Sequence, residues 1–110
     1  MDTSKWLLSR TERFPKKVRH TLSHRIDDLT LGLLEGITTL AYRRDRRDLL
    51  RTLDDQLNRL RVLLRLAHEL GFLAHNHYEE AARRLAEAGR LLHGLGERQR
   101  AETQTADDVP

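Results

Sequence analysis

Over residues 49–73, LLRTLDDQLNRLRVLLRLAHELGFL, apolar side chains return at alternating steps of three and four: Leu50, Leu53, Leu57, Leu60, Leu64 and Ala67. At about 100° per residue they gather on one face of an α-helix, whereas a strand would scatter them over both of its faces. The stretch predicts one long amphipathic helix. Leu49, Leu63, Leu66 and Leu70 widen the apolar arc, so this helix is expected to touch several neighbours. Arg51, Arg61 and Arg65 fall on the other side with Asn58 between them. One face builds a core and the other presents guanidinium groups.

The flanking sequence repeats the same period. Residues 2–13 predict a short first helix, with Thr3 or Ser4 as cap and Trp6 and Leu7 on its apolar face. Phe14-Pro15 ends it, because the residue before a proline is driven from the α region. Trp6 and Phe14 are expected in the core at the bundle end. A second helix is predicted over residues 16–42, with Val18, Leu22, Ile26, Leu29, Leu33, Ile37 and Leu40 as its core stripe. Leu31 and Leu34 lie off that stripe, where a monomer would carry polar groups, and are candidates for partner or subunit contact. Asp45 or Asp48 is placed to cap the third helix, and Gly71 to stop it. Asn76 with Glu79 has the form of a capping box opening a fourth helix. There Tyr78, Ala81, Ala82, Leu85, Ala88, Gly89, Leu92 and Leu95 make the buried face. Ala82, Gly89 and Gly96 recur every seven residues as a smooth seam for another helix. The expected fold is therefore all-α, an antiparallel four-helix bundle with a short first helix and three long ones. It occupies residues 1–96, and residues 97–110, which lack an apolar period, are expected to fray into a disordered tail.

The formal net charge of +3 is unevenly distributed. Residues 1–26 hold seven Lys/Arg against two acids, and residues 43–65 hold eight against four. Residues 27–42 hold three acids and no Lys/Arg, and residues 66–110 hold five Lys/Arg against eight acids. Segregated cations favour phosphate or an acidic protein surface, the plainer alternative being a solubilising arginine shell. Four arginines, Arg43, Arg44, Arg46 and Arg47, sit at the start of the third helix, where the macrodipole disfavours them. The candidate phosphate contacts are Lys16, Lys17, Arg19, Arg25, Arg43, Arg44, Arg46, Arg47 and Arg51. They predict sequence-tolerant, salt-dependent binding of RNA or DNA. Arg61, Arg65 and Arg90 are candidates for subunit or partner contact, or for ion pairs with Glu87 or Asp54.

Other chemistry finds little support. There is no cysteine, no apolar run as long as a membrane span and no signal-peptide core, which is expected of a soluble, cytoplasmic protein. His68, His75 and His77 cluster without thiol or nearby carboxylate, so neither metal nor another cofactor is expected. No Ser or Thr has an evident His/Asp partner, and no catalytic residues are assigned. Arg19 and His24 have an Arg-x4-His spacing that resembles the motif of HEPN-type ribonucleases, in which such a pair positions phosphate and assists proton transfer. That remains the alternative, beside a purely structural helical bundle.

A wider resemblance runs from Lys5 to Gly94. Its carriers are Trp6-Leu7-Leu8, Arg13-Phe14-Pro15-Lys16, Arg19, Thr21-Leu22 and Arg25-Ile26. Leu60-Arg61, Leu63-Leu64-Arg65-Leu66, Tyr78, Gly89-Arg90, Leu92 and Gly94 follow. In order and spacing they resemble the accessory variability determinant (Avd-like) proteins of diversity-generating retroelements. These belong to a four-helix-bundle superfamily that includes ribosomal-RNA intervening-sequence proteins. Ser23 stands where that family often has glycine, and His93-Gly94-Leu95 replaces a Gly-Gly-Trp-like ending. The resemblance implies a non-enzymatic accessory of a reverse transcriptase. It also implies a basic homopentamer that binds the enzyme and nucleic acid during mutagenic reverse transcription.

Overall fold

The structure, a computed structural model, describes residues 2–107, with side chains to residue 101. Its helices are α1 (Asp2–Thr11), α2 (His24–Leu40), α3 (Arg47–Glu69) and α4 (His75–Asp107). They form an up-and-down bundle of 60 × 23 × 20 Å. Arg84 reaches Thr3 while Arg10 reaches His77, so α1 runs antiparallel to α4. The glycines of α2 face Gln56 and Leu53 in the order Gly32, Gly36, which sets α3 antiparallel to α2.

The apolar stripe of α3 holds the bundle together. Leu50, Leu53, Leu57, Leu60, Leu64 and Ala67 are all buried, joined by Ile26, Leu33 and Leu40 of α2 and Ala81, Leu85 and Leu92 of α4. Truncating Leu57 or Leu60 to alanine would cost about 2–5 kcal/mol, as expected for fully buried leucines. Leu49 and Leu63 pack on the edge of this core. Leu66 and Leu70 do not: α3 lies between α2 and α4, and its third side is open, leaving them exposed with Val62.

α3 ends as its glycine requires. Gly71 takes φ 82°, the Phe72 N–H bonds the Ala67 carbonyl and the Gly71 N–H bonds that of His68, which closes the last turn. At the other end, α3 begins at Arg47 with Asp45 accepting its N–H at 3.2 Å. The capping box at Asn76 does not form, because α4 already begins at His75 and Glu79 pairs with His75 at 2.8 Å. Thr3 and Ser4 likewise lie inside α1 rather than ahead of it.

The second helix departs most from its predicted outline. Pro15 opens a 3₁₀ turn (Lys16–Val18), Val18 is a joint at φ −107° and ψ 8°, and Arg19–Ser23 forms a π-helical turn before α2 begins. The π turn lets the neighbours Leu22 and Ser23 both point inward. Further along α2, Thr30 replaces Ile37 in the core, its hydroxyl satisfied by the Ile26 carbonyl at 2.8 Å, while Ile37 is 36% exposed.

α4 continues to Asp107, past residue 97 where the apolar period stops. Residues 97–101 are Glu, Arg, Gln, Arg and Ala, all good helix formers, and Glu97 pairs with both His93 and Arg100 along the helix. Of the tail expected over residues 97–110, residues 108–110 lie outside the described residues. Of the predicted small-residue seam, Gly89 faces Leu57 and Arg61 of α3, Ala82 is exposed, and among the described residues nothing lies within 4 Å of a Cβ placed on Gly96, so α3 uses the seam at Gly89 alone.

Candidate nucleic-acid interface

The nine candidate phosphate contacts fall into two groups at opposite ends of α2. Its 17 residues separate the groups by about 26 Å at the rise of an α-helix. One pole surrounds the entry turns: Lys16, Lys17 and Arg19, with Arg25 in the first turn of α2. All four are exposed, and none has a carboxylate partner among the described residues. The turn is held by Phe14, buried and 6.0 Å from Phe72, and by Lys17, whose ammonium lies 5.9 Å from the Phe72 ring. The chain is therefore pinned by apolar contacts while its charges face water.

Beside Arg19 an open cleft of about 580 Å³ is lined by both polar and apolar groups, among them Arg19, His20, Ser23, His24 and Asp27. Residues five apart are neighbours in i→i+5 geometry, so the π turn brings Arg19 and His24 to this common cleft. His24 Nε2 lies 3.1 Å from Asp28, and Asp27 accepts a 2.5 Å hydrogen bond from Thr11. The Ser23 hydroxyl is buried with no hydrogen-bond partner among the described residues.

The second pole is the turn between α2 and α3. Arg43, Arg44, Arg46, Arg47 and Arg51 project there. Arg47 is held by Asp45 through two guanidinium contacts at 3.3 Å, and Arg46 donates to the Arg43 carbonyl at 3.1 Å. Hydrogen bonds from Arg47 draw the Asp45 carboxyl below its usual range. This single acid thereby offsets one arginine and the first N–H of α3. Arg43, Arg44 and Arg51 have no carboxylate partner among the described residues.

Tyr42 belongs to the same turn and was not singled out by sequence reading. It is 86% exposed, directly before the arginine run. An aromatic abutting Arg43-Arg44 was the signal that could have found it, since stacking platforms and cations occur together in single-strand binding.

Arg61, Arg65 and Arg90 lie at neither pole. Arg61 donates to Asn58 at 2.9 Å and to the Leu85 carbonyl at 3.3 Å, crossing to α4 through the notch at Gly89. A Cβ on Gly89 would lie 2.9 Å from its Nη2. Arg65 pairs with Glu69 at 3.1 Å, one turn along its own helix. Arg90 borders a shallow depression with Asp54, Arg61 and His93. Glu87 is engaged by Arg83, at 2.9 Å, rather than by any of the three. The histidines separate: His68 and His75 meet at 3.3 Å, while His77 turns to Arg10 on α1. Among the described residues no three His, Cys or acidic groups converge as a metal site.

Fold and charge together define a class: small up-and-down helical bundles with an apolar leucine core and a cluster of exposed cations at each end of α2. The chain belongs to the bAvd-like family, whose model matches residues 2–99. Membership points to an accessory role in diversity-generating retroelements, in a family that is in general not catalytic. No curated protein and no solved structure matches the chain. Among the described residues no helix is long and apolar enough to cross a membrane.

Proposed function

We propose that this protein is a non-enzymatic accessory subunit that binds a retroelement reverse transcriptase together with RNA or DNA, supporting mutagenic reverse transcription in the cytoplasm. The observation that carries the nucleic-acid half is that Lys16, Lys17, Arg19, Arg25, Arg43, Arg44 and Arg51 lack carboxylate partners among the described residues and are grouped at two ends. Cations without acidic neighbours keep their full attraction for phosphate and release counterions on contact. Nothing in the arrangement reads base edges, so binding is tolerant of sequence, with Tyr42 adding a stacking surface for an unpaired base. Family membership supports the reverse transcriptase as partner. Val62 and Leu66 of α3 and Leu70 just past its end, spaced by four and all exposed, offer an apolar strip for assembly into a homo-oligomer, for which the resemblance implies a pentamer. Arg61 is committed to Asn58 and Leu85 and Arg65 to Glu69 within their own chain, which leaves Arg90, Leu31 and Leu34 for partner or subunit contact.

Duplex and single-strand affinity measured across a salt series tests this reading. The logarithm of affinity should fall steeply with the logarithm of salt. Replacing Arg43, Arg44 and Arg51 with alanine should reduce the slope by about 2–3. A salt-independent affinity would refute the mechanism. Co-purification with a reverse transcriptase encoded nearby tests the protein half.

One observation favours a second reading. The π turn places Arg19 and His24 at one cleft, as a ribonuclease of the HEPN type would need. In that case RNA is degraded by the purified chain, and His24→Ala abolishes the degradation while leaving affinity within about twofold.

A further inference from the structure

The turn that joins α3 to α4 brings two histidines together. His68 stands in the last turn of α3 and His75 is the first residue of α4, and Gly71, at φ 82°, reverses the chain between them. His68 Nε2 and His75 Nδ1 lie 3.3 Å apart, with the ring centres 5.4 Å apart and the planes tilted by 50°. Neither side chain belongs to the apolar core, and that of His75 is 70% exposed.

Both rings are nevertheless held in place. His68 stacks on Tyr78, 4.6 Å between centres and 20° between planes. His75 turns its other nitrogen, Nε2, to Glu79 at 2.8 Å. Spacing along the chain left this cluster without a carboxylate, and the first turns of α4 supply one. A carboxylate at Nε2 keeps the proton there, so that Nδ1 retains its lone pair and presents it to His68. Carboxylate, imidazole and metal stand in this order wherever an outer carboxylate orients a ligating histidine and raises its basicity. The separation of the two nitrogens suits such an ion. Two nitrogens each about 2.05 Å from zinc, at the tetrahedral angle, stand about 3.3 Å from one another. The local charge also favours a cation. Arg65, about one turn back on α3, is paired with Glu69 at 3.1 Å, and Glu79 has no lysine or arginine partner among the described residues.

We infer that His68 Nε2 and His75 Nδ1 together hold one divalent ion of the zinc class, with Glu79 behind His75 and solvent filling the other positions. Imidazole nitrogen selects Zn²⁺, Cu²⁺ or Ni²⁺ over Mg²⁺ and Ca²⁺, which take oxygen. The ion ties the end of α3 to the start of α4 and so fixes the turn at Gly71. The site needs neither the nucleic acid nor the reverse transcriptase.

Calorimetric titration of the full, metal-free chain with Zn²⁺ alone tests it. Zinc should bind, and His68→Ala and His75→Ala should each weaken the binding at least tenfold, with helicity by circular dichroism unchanged. Glu79→Gln spares both imidazoles and should weaken it about tenfold. His93 pairs with Glu97 in the same way but has no second histidine beside it among the described residues, so His93→Ala should leave the affinity within about twofold. Zn²⁺ should raise the thermal midpoint of the parent and not that of His75→Ala, and Mg²⁺ should raise neither. Absence of zinc binding, binding that survives both alanine variants, or an equal loss in His93→Ala would overturn the inference. So would undiminished affinity in Glu79→Gln, or a response to Mg²⁺ equal to that for Zn²⁺.

Discussion

Glu80 is the residue on which the contact between α1 and α4 turns. Its carboxylate takes hydrogen bonds from Arg83 at 2.6 and 3.0 Å and from Arg84 at 2.8 Å, and Arg84 in turn covers Trp6 of α1. Those bonds, Arg83 first, lower its pKa from 4.5 to about 2. A carboxyl held below its unfolded value contributes stability in full above about 4.5 and loses it as pH falls through about 2. The fluorescence of Trp6, the chain's single tryptophan, reports that contact. In acid titrations the stability gap between the parent and Glu80→Gln should be constant above pH of about 5 and close toward pH 2. A gap that persists at the acid end would show that Glu80 acts through packing and not through its charge. The sequence shows Glu80 and Arg84 four apart on a helix, but not that Trp6 lies beneath them, because that neighbour is 78 residues away by the fold's own choice of partner.

At the scale of elements, two glycines of α2 separate propensity from packing. A Cβ at Gly32 would meet Gln56 at 3.6 Å, ordinary contact, whereas one at Gly36 would fall well inside contact distance of the Leu53 Cδ2 methyl. Gly32→Ala should therefore raise stability by about 0.5–1 kcal/mol through helix propensity alone. Gly36→Ala should lower it by about 1–2 kcal/mol. Leu53 is buried and close-packed, and the overpacking outweighs the propensity gain. Denaturant midpoints of the two variants decide this, and equal stabilisation would mean that α2 and α3 are not packed this closely. The helices themselves were legible because their signal is local. The α3 stripe from Leu50 to Ala67 is buried in full, and Gly71 stops the helix as its position demands. The capping box was missed because a near neighbour competed: His75 took Glu79 from Asn76.

Over the whole molecule, the nine candidate cations lie at two poles. The two ends of α2 lie about 26 Å apart by helix rise, so one rigid duplex can engage both poles only when it is longer than roughly 8 base pairs. The salt slope should then steepen between duplexes of about 6 and about 12 base pairs and change little beyond, as read by fluorescence anisotropy. A slope independent of length would confine phosphate contact to one pole. The sequence places these nine cations in two stretches, residues 16–25 and 43–51, but leaves their separation open, since charge counts carry no distance.

Leucine spacing alone determined that this chain makes amphipathic helices, how many, and which residues of α3 meet the core, because a helical period needs only neighbours within one turn. Tertiary structure decided what that period cannot contain. The cleft at Arg19 exists because a π turn follows Pro15. The poles are apart because α2 lies between them. Each of these depends on where one element ends relative to another, and that is set by long-range packing rather than by residues adjacent in the chain.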